Sequence, residues 1–456
     1  YITDGSDHMR PATLRGMAPN QTLVLVNGKR RHQGALVHVN GSVGRGSTQV
    51  DLNAIPASAI EKIEVLRDGA AAQYGSDAVA GVINLVLKET GGSDVSVTLG
   101  QNLSYFERGY NAGEGFIDGQ DDTTYGWDVN ENDGIGYQPY TADRSWARPG
   151  VQKVLKKDGK NLIVHGGTGL NVLGGNLYVS GQFRDGGRTN RAGLDPRRQY
   201  FAGMDEEERA FNRENHRIGA GAFEQVSLMF NGSFPMERGT LYAFGGMNTR
   251  DGESGCYYRR AQDNRTLRAW YPDGFLPLIS PTLTDTSMAV GMKGLMSNGM
   301  AYDVSVNTGS NEFAWGMVNS HNATAGTGPN QQSEFDLGTL GYSQTTVNVD
   351  MSTQRDMAGF VGPVSLAFGA EVRMENYEIE AGEEAGYTDY GYDVLDGPNA
   401  GASAAVGCQC LPGLAPTNEQ DRDREAVSIY AEMSGNVMEA LQLDVALRTE
   451  NYSDFG

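Results

Sequence analysis

The chain has 456 residues and a formal net charge of −21, with 36 lysines and arginines against 57 aspartates and glutamates. This acidic balance disfavours nucleic acid as a partner, because phosphate binding depends on a basic surface. A mean hydropathy of −0.44, and the lack of any apolar run near the ~18 residues of a membrane helix, exclude a bundle of such helices. The 62 glycines are about twice the ~7 % of an average protein, which favours many turns and short strands.

The first 89 residues predict a compact mixed α/β unit. Thr22–Val26 is a β-branched run that ends in an Asn-Gly turn. A helix-start pattern lies at Ser58, the apolar residues of Ile60–Leu66 alternate, and residues 79–87 form a last strand. Each piece is too short to be stable alone, so we expect this unit to pack on itself or inside a larger structure.

From residue 93 onward the pattern changes to a repeated alternation of apolar and polar residues. The alternating segments are residues 95–99, 177–183, 302–307, 347–351, 364–373, 427–433 and 441–448. Successive side chains of a strand point to opposite faces, so each segment predicts a strand with one apolar and one polar face.

The connections between these segments alternate strictly between short and long. Short turns lie near residues 174, 237, 298, 362 and 437, and long polar stretches at residues 102–160, 185–222, 250–286, 308–343 and 379–424. This alternation predicts a transmembrane antiparallel β-barrel with its long loops on the outer side. About eleven strands are present, whereas bacterial barrels close with an even number, so we expect the barrel to be unfinished in this chain.

The N-terminal unit carries the motifs of a known family. Residues 60–67, then Tyr74-Gly75-Ser76 and residues 80–86, resemble the closing signature of the plug domain of TonB-dependent outer-membrane receptors. Residues 11–16 and 22–29 are similar to the two preceding plug motifs. One departure is Asp68-Gly69, where many members have Gly-Pro; this variant is similar to a subgroup common in proteobacterial scavengers of diverse nutrients.

The resemblance implies a mostly β protein with an N-terminal α/β plug inside a barrel of 22 strands in the full protein, of which about 11 are present here. It implies a plug at residues 1–89, lacking its N-terminal part, and the first part of the barrel with long extracellular loops at residues 90–456. We therefore expect the TonB box and the rest of the barrel to lie outside this chain, and the intact gene product to be much longer. The implied partners are the TonB-ExbB-ExbD energising complex, outer-membrane lipid and lipopolysaccharide, and a small nutrient ligand. No nucleic acid is expected.

The resemblance also implies a role for two plug arginines. The family arginines that match Arg15 and Arg67 face glutamates of the barrel and help to seat the plug. The alternative is that either guanidinium only hydrogen-bonds within the plug.

Candidate ligand-binding residues lie between the plug strands and in the long loops. The segment from Lys29 to Arg45 is expected to form an apical loop that faces outward, where Arg31, His32 and Arg45 would contact an anionic or hydroxyl-rich ligand. Their alternative role is to bind loop carbonyls or carboxylates of the lumen. Aromatic rings concentrate in the loops; the candidates that would stack on a ligand are Trp127, Tyr257 and Trp270. Interfacial girdles and loop packing are the alternative for these rings.

Metal and thiol sites are few in the sequence. Residues 128–134 resemble a calcium loop, but the glycine falls one position late and Pro139 replaces the closing glutamate, which favours a solvated acidic loop over a bound calcium. Cys408 and Cys410 make a poor metal site without a nearby histidine. An extracellular disulfide is favoured, either within this pair or from one of them to Cys256, and the connectivity stays open.

The residues contain no catalytic constellation, so an enzyme is not expected. The leading hypothesis is TonB-energised import of a scarce nutrient, a ferric siderophore or an oligosaccharide-like ligand, across the Gram-negative outer membrane. The alternative is a passive pore, or a surface-binding or assembly module, on the same barrel.

Overall fold

The computed structural model describes residues 5–39, 44–67, 71–108, 152–193, 195 and 197–455. The predicted ring of Trp127 and the calcium-like loop at residues 128–134 lie outside the described residues.

The described residues between 5 and 88 form a small unit, here called the N-terminal unit, around a four-stranded mixed sheet. Its elements are β1 (Thr22–Val26), β2 (Lys29–Arg30), β3 (Ile60–Leu66), α1 (Ala71–Tyr74) and β4 (Gly81–Leu87). Single 3-10 turns lie at Ser6–His8, Pro19–Gln21, Leu52–Ala54, Ala57–Ala59 and Ser76–Ala78. The helix-start pattern at Ser58 thus ends within one 3-10 turn, because the alternating residues that follow continue as β3.

The order of strands in this small sheet is β2-β1-β4-β3. β1 runs parallel to β4, and the turn between β1 and β2 has Asn27 and Gly28 at positive φ (48° and 79°). Such a turn matches the twist of two antiparallel strands, so β2 pairs directly beside β1.

The rest of the described chain forms one large antiparallel sheet of twelve strands. The first six are β5 (Asp94–Arg108), β6 (Gln152–Val172), β7 (Gly175–Gly186), β8 (Ala222–Met236), β9 (Gly239–Gly255) and β12 (Leu278–Ile279). The others are β13 (Thr282–Leu295), β14 (Ala301–Val318), β15 (Glu334–Asp356), β16 (Pro363–Ala381), β17 (Gln420–Met438) and β18 (Leu441–Tyr452). The short β12 and the long β13 both lie between β9 and β14, so the strands occupy eleven positions, as the sequence predicts.

Smaller elements lie in the connections. They are helix α2 (Asp205–Ala210), the two-stranded ribbon of β10 (Arg259–Arg260) and β11 (Gly274–Phe275), and 3-10 turns at Ala323–Ala325, Glu384–Gly386 and Pro416–Asn418. No helix among the described residues is both long and apolar enough to cross a membrane.

Short and long connections fall at opposite ends of the large sheet. Among the described residues, the short turns are 173–174, 237–238, 296–300, 357–362 and 439–440, and the long connections are 187–221, 256–281, 319–333 and 382–419. The predicted turns are therefore confirmed, but the strands reach further into the predicted long loops. β15 has 23 residues and β6 has 21, about twice the 9–11 that cross a bilayer, so one end of each extends beyond the hydrocarbon.

The large sheet is apolar on its exposed face and polar on its covered face. Val95 is 79 % exposed and Leu228 50 %, whereas Gln225 and Ser227 are buried. This is the reverse of a water-soluble sheet, and it is typical of strands that face lipid on one side. The polar face is covered by the N-terminal unit, whose Ile83 and Leu85 share one core cluster with Phe244 of β9.

Candidate functional site at the face between the N-terminal unit and the large sheet

Four consecutive residues with basic side chains form the centre of the contact between the two parts. Residues 29–32 follow the β1–β2 turn, and all four side chains are buried. Their partners are carboxylates of four adjacent strands, β13 to β16. The ion pairs are Lys29 with Asp303 and Asp350, Arg30 with Glu371, and both Arg31 and His32 with Asp285.

Lys29 compensates a pair of like charges in the sheet. Asp303 of β14 and Asp350 of β15 are directly opposite each other, an arrangement that destabilises a sheet by itself. The Nζ atom of Lys29 lies 3.2 Å from an Asp303 carboxylate oxygen and 3.4 Å from one of Asp350. The hydroxyls of Tyr242 and Tyr430 donate to the second oxygen of each carboxylate, at 2.7 and 2.8 Å. The sheet thus presents an acidic site that the N-terminal unit fills.

Asp285 of β13 accepts from two neighbouring residues of the N-terminal unit. Arg31 donates to one oxygen, and His32 Nε2 lies 3.0 Å from the other. Burial lowers the pKa of His32, although the Asp285 carboxylate acts in the opposite direction. Gly309 of β14 lies so close to the imidazole ring of His32 that a Cβ atom at this position would overlap with the ring.

A second contact joins the region after α1 to strands β16 to β18. The Asp77 carboxylate lies 2.6 Å from Arg30 and 2.9 Å from Arg373 of β16. Burial alone would raise the pKa of Asp77, but these two guanidiniums hold it below its usual value. Arg448 of β18 donates to the Gln73 carbonyl at 3.2 Å.

A third contact involves the first residues of the N-terminal unit. His8 Nε2 lies 2.7 Å from the Ser254 hydroxyl, and Arg250 of β9 lies 3.6 Å from the Asp51 carboxylate and donates to the His8 carbonyl. Burial lowers the pKa of His8 and raises that of Asp51. Gly252, like Gly309, leaves room for an imidazole ring that a Cβ atom would displace.

The residues predicted to bind ligand or to hold the plug in place are partly buried in the plug–wall contact and partly exposed. Arg31 and His32 do not lie in an exposed apical loop; they are buried against Asp285, in the lumen-carboxylate contact that was the alternative for them. Arg45 lies in an exposed turn. Arg15 and Arg67 are also exposed, and Arg15 donates to the Arg67 carbonyl. Ligand binding by the first three residues, and a lock formed by the last two, stay predictions.

The other candidates lie in the connection between β9 and β13. The Tyr257 ring is 62 % exposed and packs edge-on against His216 at 5.5 Å, with the Arg197 guanidinium 5.5 Å from its centre. Trp270 is 42 % exposed in the same connection. Exposure at the long-loop end leaves both rings accessible to a ligand.

The cysteines resolve one of the alternatives that the sequence left open. Cys256 and Cys410 form a disulfide across a sequence separation of 154 residues. Cys408 is a buried free thiol, and its burial raises its pKa to about 12. The disulfide therefore links the β9–β13 connection to the β16–β17 connection, while the third thiol is buried.

The sequence reasoning did not identify the carboxylate partners. Asp303, Asp350 and Glu371 all lie on the polar side of alternating rows, where most neighbours are small and neutral. An acidic residue in such a row could have predicted the contact, because a carboxylate on the covered face of the sheet requires a partner.

Comparisons with known proteins agree with this architecture. Residues 2–82 match the family model described as TonB-dependent Receptor Plug Domain. A stretch of 80 residues is 48 % identical to the probable TonB-dependent siderophore receptor PirA of Acinetobacter baumannii, and covers 18 % of this chain and 10 % of that protein. A stretch of 93 residues is 37 % identical to the vitamin B12 transporter BtuB of Vibrio vulnificus, and covers 20 % of this chain and 13 % of the transporter.

A solved structure extends the likeness to the large sheet. The crystal structure of the siderophore receptor PirA from Acinetobacter baumannii superposes with a TM-score of 0.53 at 16 % identity, over 97 % of this chain and 50 % of that receptor. The chain thus spans about half the length of this solved receptor. At this identity the likeness shows the fold, a β-barrel with an internal plug.

The N-terminal unit is therefore a plug domain, and the large sheet consists of barrel strands. Residues 2–82 thus belong to the TonB-dependent receptor plug family by sequence, and the chain as a whole is similar in fold to outer-membrane receptors of that kind.

Proposed function

We propose that the protein imports a scarce nutrient across the Gram-negative outer membrane by TonB-dependent active transport. A ferric siderophore is the leading class of ligand, and an oligosaccharide is the second. We assign residues 1–89 to the plug and residues 90–456 to the barrel, with the boundary in the link between β4 and β5. No catalytic activity is proposed.

The observation that carries this proposal is the charged contact between plug and wall. Lys29 lies between the opposed Asp303 and Asp350 carboxylates, and Arg31 shares Asp285 with His32. Charge-assisted contacts of this kind are strong, yet water can replace each partner when the plug moves. These ion pairs lie beside the apolar cluster of Ile83, Leu85 and Phe244, so the interface has a polar share as well as an apolar one. The contact therefore suits a plug that is held firmly and released when force is applied.

The leading ligand class is supported by the relatives. Those that match the plug include a siderophore receptor and a vitamin B12 transporter, and the solved structure is that of a siderophore receptor. Tyr257 and Trp270 supply two exposed aromatic rings in a long connection, and Arg45 supplies an exposed cation in the plug.

The proposed partners follow from the same architecture. Force on the plug would come from TonB and its ExbB and ExbD partners, which couple it to the proton-motive force. The apolar exposed face of the barrel strands would contact outer-membrane lipid, and their outer ends would contact lipopolysaccharide.

The test measures uptake of iron-55 from one catecholate and one hydroxamate siderophore by cells that produce the full-length receptor. The proposal predicts uptake that stops in a tonB deletion strain and after addition of a protonophore. Uptake that is indifferent to both would instead identify a passive pore. Binding of a siderophore without any uptake would identify a surface-binding or assembly module.

The ligand contacts can be tested on the same cells. We expect Trp270→Ala and Arg45→Gln each to weaken binding of the transported siderophore about tenfold, because stacking and charge contacts each contribute roughly 1–2 kcal/mol. The matched control is Arg265→Gln, since the Arg265 guanidinium is already paired with Asp263 at 2.7 Å. Unchanged affinity in both variants would remove these residues from the site.

A further inference from the structure

The long connections of the barrel are unusually interlocked at the outer end. Four of them are described: the β7–β8 loop (residues 187–221), the β9–β13 loop (256–281), the β14–β15 loop (319–333) and the β16–β17 loop (382–419). Loops on a protein surface usually carry exposed backbone and few long-range contacts. In this protein, the turn at residues 320–322 of the β14–β15 loop is completely buried.

Asn322 is the centre of the contact between the β14–β15 and β16–β17 loops. Its side-chain amide donates to the carbonyls of Ala385 at 3.0 Å and Thr388 at 2.8 Å. Its side-chain oxygen accepts from the Gly407 backbone N–H at 3.2 Å. A single side chain therefore binds three separate points of the neighbouring loop.

Ser320 and His321 extend this contact in two directions. The Ser320 hydroxyl donates to the Gln409 carbonyl at 2.9 Å. His321 Nε2 accepts from the Leu267 backbone N–H of the β9–β13 loop at 3.1 Å. The imidazole ring of His321 lies 5.3 Å from the ring of Tyr271 and 4.6 Å from that of Phe275. Burial lowers its pKa to about 4, so the ring is neutral and able to accept this bond at ordinary pH.

The β9–β13 loop is joined to the other two long loops as well. The Cys256–Cys410 disulfide ties it covalently to the β16–β17 loop. Its Gln262 backbone N–H donates to the Gln199 carbonyl of the β7–β8 loop at 2.9 Å. Tyr200 and Phe211 of the β7–β8 loop share a buried cluster with Tyr258.

We propose that these four loops form one rigid body at the outer entrance of the barrel, and that the buried turn at residues 320–322 holds three of them together. The four loops keep their mutual arrangement whether or not a ligand is bound, and Tyr257 and Trp270 are carried on a preformed wall. The energetic reason is that the buried side chains of Ser320, His321 and Asn322 each have at least one hydrogen-bond partner in another loop. Opening any one loop would leave such groups buried without partners, at about 1–3 kcal/mol each.

Hydrogen–deuterium exchange of the full-length receptor in detergent, without ligand, tests this proposal. We expect the backbone amides of residues 320–326 to exchange as slowly as those of β14. Asn322→Ala should accelerate exchange about tenfold or more in the β14–β15 loop and, at the same time, in residues 385–409 of the β16–β17 loop. The matched control is Asn330→Ala in the same loop, where the side chain is exposed, and it should change neither.

A second measurement guards against misfolding of the variant. Reduction of the assembled wild-type receptor with dithiothreitol converts the disulfide to two thiols, and should accelerate exchange in both the β9–β13 and β16–β17 loops. Fast exchange of residues 320–326 in the wild type, or an effect of Asn322→Ala confined to its own loop, would overturn the proposal. Neither result depends on the transported ligand, so the proposed import function is tested separately.

Discussion

The plug–wall contact and the outer loop body are both buried and both polar, but they are held together by different forces. The plug meets the wall through apolar clusters and through buried ion pairs, with Lys29 and Arg31 facing three carboxylates. The loop body is held mainly by neutral hydrogen bonds around Asn322 and by the Cys256–Cys410 disulfide, with one ion pair between Arg268 and Asp396. Water can solvate separated ions far better than it can replace a covalent bond or a packed aromatic cluster. This difference supports the proposed function, in which the plug moves during transport and the loop body keeps its arrangement.

Opening of the plug can be measured with a single reporter cysteine placed in the contact between plug and wall. Ala35 of the plug is fully buried, its backbone N–H is bonded to Asn311 of β14, and its carbonyl accepts from the Tyr377 hydroxyl of β16. A cysteine in place of this alanine reacts with an externally added maleimide only when the plug leaves the wall. The labelling rate of Ala35→Cys therefore measures the free energy of plug opening.

The largest effect is expected from Asp285→Asn. This change leaves the buried Arg31 guanidinium without its carboxylate, and removing one partner of a buried pair costs about 3–5 kcal/mol. Labelling of the reporter should accelerate at least a hundredfold. The control Asp356→Asn lies exposed at the short-turn end of β15 and should have no effect. Adding Arg31→Gln to Asp285→Asn should restore much of the seating, and a double variant as loose as the single one would contradict the ion-pair account.

A smaller effect is expected from Lys29→Gln. The opposed carboxylates of Asp303 and Asp350 would lose the ammonium group between them, although the Tyr242 and Tyr430 hydroxyls still donate to each. We expect a loss of about 2–3 kcal/mol in the free energy of plug opening. The matched control is Lys62→Gln, because the exposed pair of Lys62 with Glu64 is worth little. Equal labelling rates in the two variants would remove Lys29 from the lock.

The third prediction concerns pH. The pKa of His32 is lowered in the folded protein by burial, with Arg31 and Asp285 as its charged neighbours. A group with a lowered folded-state pKa contributes stability above its unfolded value, about 6.5 for histidine. That stability is lost as the pH falls through the folded value. Reporter labelling should therefore accelerate below about pH 6.5, and His32→Gln should flatten this part of the profile. A wild-type profile without any change below pH 6.5 would exclude the role given to His32.

The smallest effect on the plug is expected from loss of the disulfide. The double variant Cys256→Ser with Cys410→Ser should loosen the loop body, yet leave the labelling rate of Ala35→Cys within about twofold of its original value, because additivity holds for distant sites. Proteolysis of intact cells checks that the loops have loosened. A large gain in plug labelling would show that the two regions are one cooperative unit, and would remove the contrast between them.

Much of the fold is predictable from residue patterns, because a sheet that faces lipid on one side repeats its alternation in every strand. The turn at residues 173–174 is predicted by its position between two alternating segments, and the strand at Thr22–Val26 by its β-branched run. The ends of β14 and β15 were predicted too short. Outside the bilayer neither face of a strand needs to be apolar, so the period-two signal disappears while the hydrogen-bonded ladder continues.

The site was less predictable, because its partners come from distant parts of the chain. The basic run at residues 29–32 looks like a surface loop, and only the two-residue strand β2 and the wall of carboxylates explain its burial. The pairing of Cys256 with Cys410 rather than with Cys408 depends on how the loops fold over one another. No local pattern contains that information.

The central claim is that the plug held by Lys29 and Arg31 is released during energised transport. The most direct measurement is the maleimide labelling of Ala35→Cys in living cells that produce the full-length receptor, with and without the transported siderophore. The account predicts faster labelling when ligand and proton-motive force are both present, and the basal rate when a protonophore is added. Continued siderophore uptake with no change in the labelling rate, or a labelling rate that does not depend on the proton-motive force, would contradict this account.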